Sequence, residues 1–410
     1  MYIYGVKNGK TLRISHAQSV YGDEEINRVV AVFKEHRTLI GREVQEFESR
    51  IARLFQKKYG IMVNSGSSAN LVAVELLNLP TGSEVITPLH TFSTTVAPLI
   101  NKGLIPVFVD VKPGEYVIDV DKIEKAISKK TKALMIPIMF GLVPDMEKLQ
   151  KLTKKYNLIF VEDSCDAVVS QFKNKPTGAY SDISTTSFYG SHVITAAGGG
   201  GMVMVNSDKY RNRTKMLRGW GRSSAVFSES ESIEIRFSRK IDNVLYDGKF
   251  IFDDVGYNFL PLEISAAFGN VQLDKLKDFV EIRERNYKFL VKVYSKYSDY
   301  FILPVVHKDA KPQWQIFPLT IKKDAPFTRI EFVKFLEENN VRTRPLSTGN
   351  VLRQPGFKNI PHRDTQKEYP FSDEVFERSF MTGLHQGLTL DHLNRLKEVV
   401  DSFFKQLKSQ

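Results

Sequence analysis

The chain has 410 residues, 42% hydrophobic and 26% charged, with one cysteine, which suits two domains or one large domain with an appendage. No stretch approaches the roughly 18 uninterrupted apolar residues of a membrane span. The opening "MYIYGVKNGKTLRISHAQ" has no secretory apolar core, and the lone Cys165 excludes an intrachain disulfide or an all-cysteine iron–sulfur site, so a cytoplasmic, metal-free protein is expected. The net charge of +11 is carried by lysines alternating with acids at helical spacing, without the basic stripe and interleaved aromatics of a nucleic-acid surface.

From about Lys58 to Asn206, short β-branched runs alternate with amphipathic patterns. "YGIMVN", "SEVITPL", "IPVFVDV", "KALMIPIMF", "LIFVEDS", "ISTTSFY" and "GMVMVN" read as strands, and "SSANLVAVELLNL", "STTVAPLINKG", "DVDKIEKAISKK" and "DMEKLQKLTKKYN" as the helices between them. This is the signature of an α/β fold with a mainly parallel, seven-stranded sheet covered on both faces. Ligands of such sheets sit at the carboxyl ends of the strands, which singles out Ser65 to Ser68, Phe92, Asp163 to Asp166 and Ser187 to His192. The stretch from about Trp220 to Asp254 is polar and irregular and reads as a long excursion. A long helical pattern beginning "LEISAAFGNVQLDKL" then bridges to a small α+β region closed by "LDHLNRLKEVVDSFFKQLKS". The expected division is a large domain over 1–265 and a bridging helix with a small domain over 266–410.

"VNSGSSAN" follows a strand and opens a helix, so its N–H groups and hydroxyls suit a phosphate at the positive helix end, or form an N-cap and nothing more. "FVEDSCD" closes a buried strand with Glu162, Asp163 and Asp166. A buried carboxylate needs a partner, either a protonated ring nitrogen or Mg²⁺, although no second acidic cluster stands near in sequence to complete an oxygen shell. His192 and the glycines of "AAGGGG" are each compatible with a purely structural role.

Taken in order, "SGSSAN", "HTFSTTVAP", "VEDSCDA", "SFYGSH", "GYN" and "RTRPLSTGN" resemble the sugar aminotransferase family (DegT/DnrJ/EryC1/StrS) of fold-type I pyridoxal-phosphate enzymes. The resemblance implies an aspartate-aminotransferase-like fold and a pyridoxal 5′-phosphate or pyridoxamine 5′-phosphate cofactor. In that family the position of His192 is normally the lysine that binds the cofactor covalently. The exchange for histidine is similar to the 3-dehydratase branch, which removes the C3 hydroxyl of nucleotide-linked 4-keto-6-deoxysugars. One subgroup carries an iron–sulfur cluster and draws on a reductase. The other, which acts on GDP-4-keto-6-deoxymannose, uses L-glutamate and no metal.

The serines of "RGWGRSSAVFSESESIEIRF", where the first subgroup has cysteines, favour the second. The resemblance further implies His192 as the catalytic proton carrier. It implies Gly66, Ser67 and Ser187 at the cofactor phosphate, Phe92 stacked on the ring, Asp163 on the ring nitrogen and Asp166 close by. Asn258 would reach the phosphate in the other subunit of a homodimer with shared sites, and Arg344, Ser347 and His385 would contact amino donor or sugar. A reductase-coupled dehydrase acting on a CDP-sugar without a built-in cluster, and a non-catalytic relative that binds nucleotide sugar or cofactor, are the rival readings.

Overall fold

The structure, a computed structural model, describes residues 12–227 and 232–409. The tetrapeptide 228–231, part of the serine-containing stretch compared above, lies outside the described residues, as do the first eleven positions.

All seven expected strands form, within one sheet of eight. Its order is Tyr59–Val63, Gly201–Val205, Ile183–Ser187, Ile159–Asp163, Thr131–Pro137, Glu84–Pro88, Ile105–Val109 and Arg363–Asp364. Gly201–Val205 runs antiparallel to both neighbours, and the other pairings are parallel. The eighth strand has only two residues and both are charged, so it carries no hydrophobic pattern that a sequence reading can detect.

Alternation along the strands divides the core into two layers. Phe160 packs with Leu134, Ile136 and the helix Met146–Tyr156 on one face. Val161 packs with Ala69, Val72 and Ala73 of the helix Gly66–Leu77 on the other. The same alternation sends Glu162 to the first face and Asp163 to the second. Glu162 is met there by the hydroxyls of Ser164, Ser181 and Ser184, whereas Asp163 lies with the helix that follows "VNSG".

The glycine run has a packing explanation. Gly200 adopts a left-handed φ of 130°, and a Cβ on Gly201 would stand 2.3 Å from the Ser65 carbonyl oxygen. Only glycine lets this strand pass so close to the loop that opens the helix Gly66–Leu77.

The bridging pattern forms two helices, Glu263–Asp274 and Leu276–Ser295. Beyond them a four-stranded antiparallel sheet, in the order Phe301–Ile302, Phe317–Ile321, Ser379–Thr382 and Thr343–Pro345, packs with the helices Arg329–Glu338 and Leu390–Leu407 around an aromatic core that includes Phe301, Phe317, Phe332 and Phe404. The first described residues join this unit: Ile14 is fully buried and exchanges backbone bonds of 2.9 Å with Asn340 and Arg342.

The excursion after Trp220 is more ordered and more apolar than its composition suggests. It holds a hairpin, Arg239–Ile241 with Val244–Tyr246, turned by Asp242 and Asn243 at φ 47° and 70°. These are the left-handed values a two-residue hairpin turn requires. Ile233, Val244 and Leu245 stand exposed on it. Among the described residues no helix is long and apolar enough to cross a membrane.

Candidate active site

A cavity of about 430 Å³ opens at the carboxyl ends of the parallel strands. One side of it is the amino end of the helix Gly66–Leu77. Ser65 caps that helix by accepting the Ser68 N–H at 3.1 Å, and the Ala69 N–H goes to the Ser65 carbonyl at 3.0 Å. Among the described residues no acceptor takes the N–H groups of Gly66 and Ser67, which line the cavity beside the Ser187 side chain. A Cβ on Gly66 would lie 2.6 Å from Ser187 Cβ, so glycine brings these donors together. Free N–H groups, a hydroxyl and a positive helix end form a donor set that fits a phosphate.

Asp163 ends its strand inside the cavity. Its Oδ2 accepts from Asn70 Nδ2 at 2.8 Å and Thr95 Oγ1 at 2.7 Å, and its Oδ1 accepts the Cys165 N–H at 3.2 Å. Asn70 is itself oriented by Thr185 Oγ1, which donates to its carbonyl at 2.6 Å. With Oδ2 doubly occupied, Oδ1 keeps acceptor capacity for a protonated ring nitrogen. Phe92, at the amino end of the helix Ser93–Asn101 and 57% exposed, offers a ring face to the same space.

His192 closes the opposite wall. Its Nδ1 lies 3.3 Å from the Ser187 carbonyl oxygen, which can only accept, so Nδ1 carries the proton and Nε2 the lone pair. Nε2 stands 3.9 Å from Asp166 Oδ1, and 13% of the His192 side-chain surface remains open to the cavity. Burial pulls the imidazole down to about 4, the charge of Arg283 adds to this, and the carbonyls of Ser187 and Cys165 and the charge of Asp163 oppose it. The Asp166 carboxyl is pushed up to about 7, first by burial and then by Asp163, against hydrogen bonds from Phe140 N–H and Gln315. Near neutral pH the pair therefore presents a neutral imidazole beside a carboxyl close to its own titration point.

The cavity wall thus gathers Gly66, Ser67, Phe92, Asp163, Asp166, Ser187, His192 and Ser347, the last held by Ser347 Oγ donating to the Thr91 carbonyl at 3.0 Å. Three expected residues are placed elsewhere. Asn258 is exposed and lies outside this wall. Arg344 is exposed near His16, whose imidazole its charge holds down. His385 is 1% exposed and away from the wall, its Nε2 donating to the Ser15 carbonyl at 3.1 Å and its Nδ1 accepting from Gly387 N–H at 3.2 Å. The sequence reading missed His16, Asn70, Thr95, Phe140 and Gln315, all on the wall. Asn70 sits one helical turn after Gly66 on the buried face, a signal the sequence did carry.

Donors that fit a phosphate, the clamped Asp163 carboxylate and His192 thus share one cavity, and the sequence profile of one family, described as DegT/DnrJ/EryC1/StrS aminotransferases, matches residues 20–403. The chain belongs to that family. It is 34% identical to the lipopolysaccharide biosynthesis protein RfbH of Salmonella typhimurium, over 94% of this chain and 90% of that protein. It is 35% identical to the dTDP-4-dehydro-2,6-dideoxy-D-glucose 3-dehydratase of Saccharopolyspora spinosa, over 94% of this chain and 85% of that one. The solved structure of the E. coli GDP-4-keto-6-deoxy-D-mannose-3-dehydratase with bound hydrated PLP superposes with a TM-score of 0.85 at 26% identity, covering 95% of this chain and 100% of that one. The fold is therefore that of the aspartate-aminotransferase-like enzymes of this family.

Proposed function

We propose that this chain removes the C3 hydroxyl of a nucleotide-linked 4-keto-6-deoxyhexose, GDP-4-keto-6-deoxymannose in the first instance, with L-glutamate as amino donor, to give a 3-deoxy ketosugar for 3,6-dideoxysugar formation in the cytoplasm. The observation that carries the reading is His192, a neutral imidazole with its lone pair in the cavity, where family members have a covalently attached lysine. When bound, pyridoxal phosphate would supply an electron sink and, in its pyridoxamine form, a primary amine. Glutamate plus the 3-hydroxy ketosugar give 2-oxoglutarate, ammonia and the 3-deoxy ketosugar, so atoms and electrons balance without an outside reductant.

Each residue then has a defined task. Gly66 and Ser67 N–H and the Ser187 hydroxyl hold the phosphate. Asp163, clamped by Asn70 and Thr95, accepts the ring N–H and keeps the ring electron-poor. Phe92 covers one ring face. His192 Nε2 takes a proton, and Asp166 Oδ1, 3.9 Å away, is placed to receive it or to supply one to the departing hydroxyl. Ser347 faces the substrate, and Arg344, beside His16 at the rim, offers its charge to an anionic ligand. The chain works as a homodimer, in which the exposed Asn258 reaches the phosphate in a second copy.

The test is mass spectrometry of the product when the enzyme, pyridoxal phosphate and glutamate meet GDP-4-keto-6-deoxymannose, with ammonia and 2-oxoglutarate assayed alongside. A 3-deoxy ketosugar with both co-products supports the cycle, and an aminosugar overturns it. Turnover only with a CDP- or dTDP-linked sugar would move the substrate, and turnover only with an added reductase would favour the reductase-coupled reading.

A further inference from the structure

Arg283 has a buried charge that the reading so far does not use. It lies on the helix Leu276–Ser295 and is the largest of the fully buried side chains. Its Nη1 donates to the carbonyls of Trp314 at 3.0 Å and Gln315 at 2.8 Å, and its Nε donates to Gln386 Oε1 at 2.7 Å. Its Nη2 is buried with no partner, and among the described residues no carboxylate forms an ion pair with it. Burial lowers the guanidinium to about 9, so it remains charged at neutral pH. A cation buried without a counter-ion is costly.

The hydrogen bonds run from Arg283 to both halves of the His192–Asp166 pair. Gln386 Nε2 donates onward to the carbonyl of Val193 at 3.1 Å, the residue after the imidazole. Gln315, held through its carbonyl, donates its N–H to the Phe140 carbonyl at 3.1 Å and its side chain to Asp166. One guanidinium therefore braces the backbone on either side of the proton-carrying pair.

We propose that Arg283 is a positioning residue for proton transfer: its unpaired buried charge is part of the field around His192, and its link through Gln386 to the Val193 carbonyl fixes where the His192 lone pair points. The inference rests on the reading of His192 as the proton carrier. The groups around that imidazole are Asp163, Cys165 and Asp166 from the strand end, Tyr189 from its own loop, His16 from the amino-terminal segment and Arg283 from the long helix. Arg283 is the one permanent cation among them. It also holds His385, a second buried histidine, down to about 3, after burial itself.

The test is a histidine NMR titration of the apoprotein, with the His192 signal assigned by its loss in His192→Asn, alongside the pH profile of kcat/KM. In Arg283→Gln the His192 titration moves up by roughly one unit, as expected on losing a nearby like charge, and the acid limb of the profile moves with it. Gln386→Leu keeps the titration but lowers kcat about tenfold across all pH, because orientation alone is lost. If Arg283→Gln does not fold, Gln386→Glu sets an acid against the intact guanidinium and must produce the same upward move. A His192 titration unmoved in Arg283→Gln, or in Gln386→Glu where Arg283→Gln does not fold, overturns the inference. Full turnover in His192→Asn would instead overturn the functional reading beneath it.

Discussion

An imidazole in the place of an attached lysine changes what the protein must do at one carbon, because it can carry a proton but cannot hold the cofactor covalently. In the proposed reaction, cofactor retention falls to Gly66, Ser67, Ser187 and Asp163, and proton transfer to His192. In His192→Asn, turnover should fall by about two to four orders of magnitude, the usual value of one positioned imidazole, while pyridoxal phosphate binding followed by absorbance stays within about twofold. Unaltered turnover would remove the histidine from the mechanism. The pH profile separates His192 from its neighbour. His192 is a base only above its lowered value of about 4, and Asp166 is an acid only below its raised value of about 7. A bell with limbs near those values is expected in kcat/KM. Asp166→Asn should erase the limb near 7 and leave the acidic one, whereas an unchanged alkaline limb would exclude Asp166 as the proton donor.

At the scale of elements, the site is an alignment of separate chain segments whose contacts are only partly written in any one of them. The strands were legible because each is a buried β-branched run bounded by turn residues, and the cavity residues at their ends followed from the sheet rule. The glycine run "AAGGGG" was not legible as a close approach, because the atom that demands glycine at 201 is a carbonyl more than a hundred residues away, on Ser65. His385, expected at the substrate, lies buried against Ser15, a placement that depends on an amino-terminal segment with no sequence pattern of its own. The hairpin Arg239–Ile241 with Val244–Tyr246 was hidden because exposed apolar residues among charges give neither helical nor strand periodicity. Gly201→Ala should lower stability by about 1 to 3 kcal/mol in a urea titration, as for overpacking a tight contact, and should weaken pyridoxal phosphate binding because the Ser65 loop must move. Gly356→Ala, whose Cβ would meet nothing within 4 Å, is the control and should stay within about 0.5 kcal/mol. Equal effects from the two would show that the close approach is not what sets the Ser65 loop.

At the scale of the whole molecule, the carboxyl-terminal part does more than pack beside the large sheet, because it sends a strand back into it. Arg363–Asp364 extends the sheet edge next to Ile105–Val109, and Thr365 Oγ1 donates to the Phe108 carbonyl at 2.6 Å. The junction is fastened by Arg363, whose Nε and Nη2 donate to the two oxygens of Glu84 at 2.8 and 2.9 Å. Ser128 and Thr131 hydroxyls add bonds of 2.6 and 3.0 Å to the same carboxylate. Burial would raise the Glu84 carboxyl, but these four donors outweigh it and hold the group below its ordinary value. A depressed carboxyl contributes stability that is fully present above its unfolded value, about 4.3, and is lost as the pH falls through the folded one. Glu84→Gln should therefore cost about 2 kcal/mol at pH 7, less than a fully buried pair because the Arg363 side chain is 34% exposed. It should also flatten the loss of stability below pH 4. Urea midpoints at pH 7 and pH 3.5 measure both effects. A variant that weakens equally at the two values would mean that the carboxylate's charge does not fasten the junction, leaving the eighth strand to be held by backbone pairing and the packing of Phe108, Val351 and Tyr369.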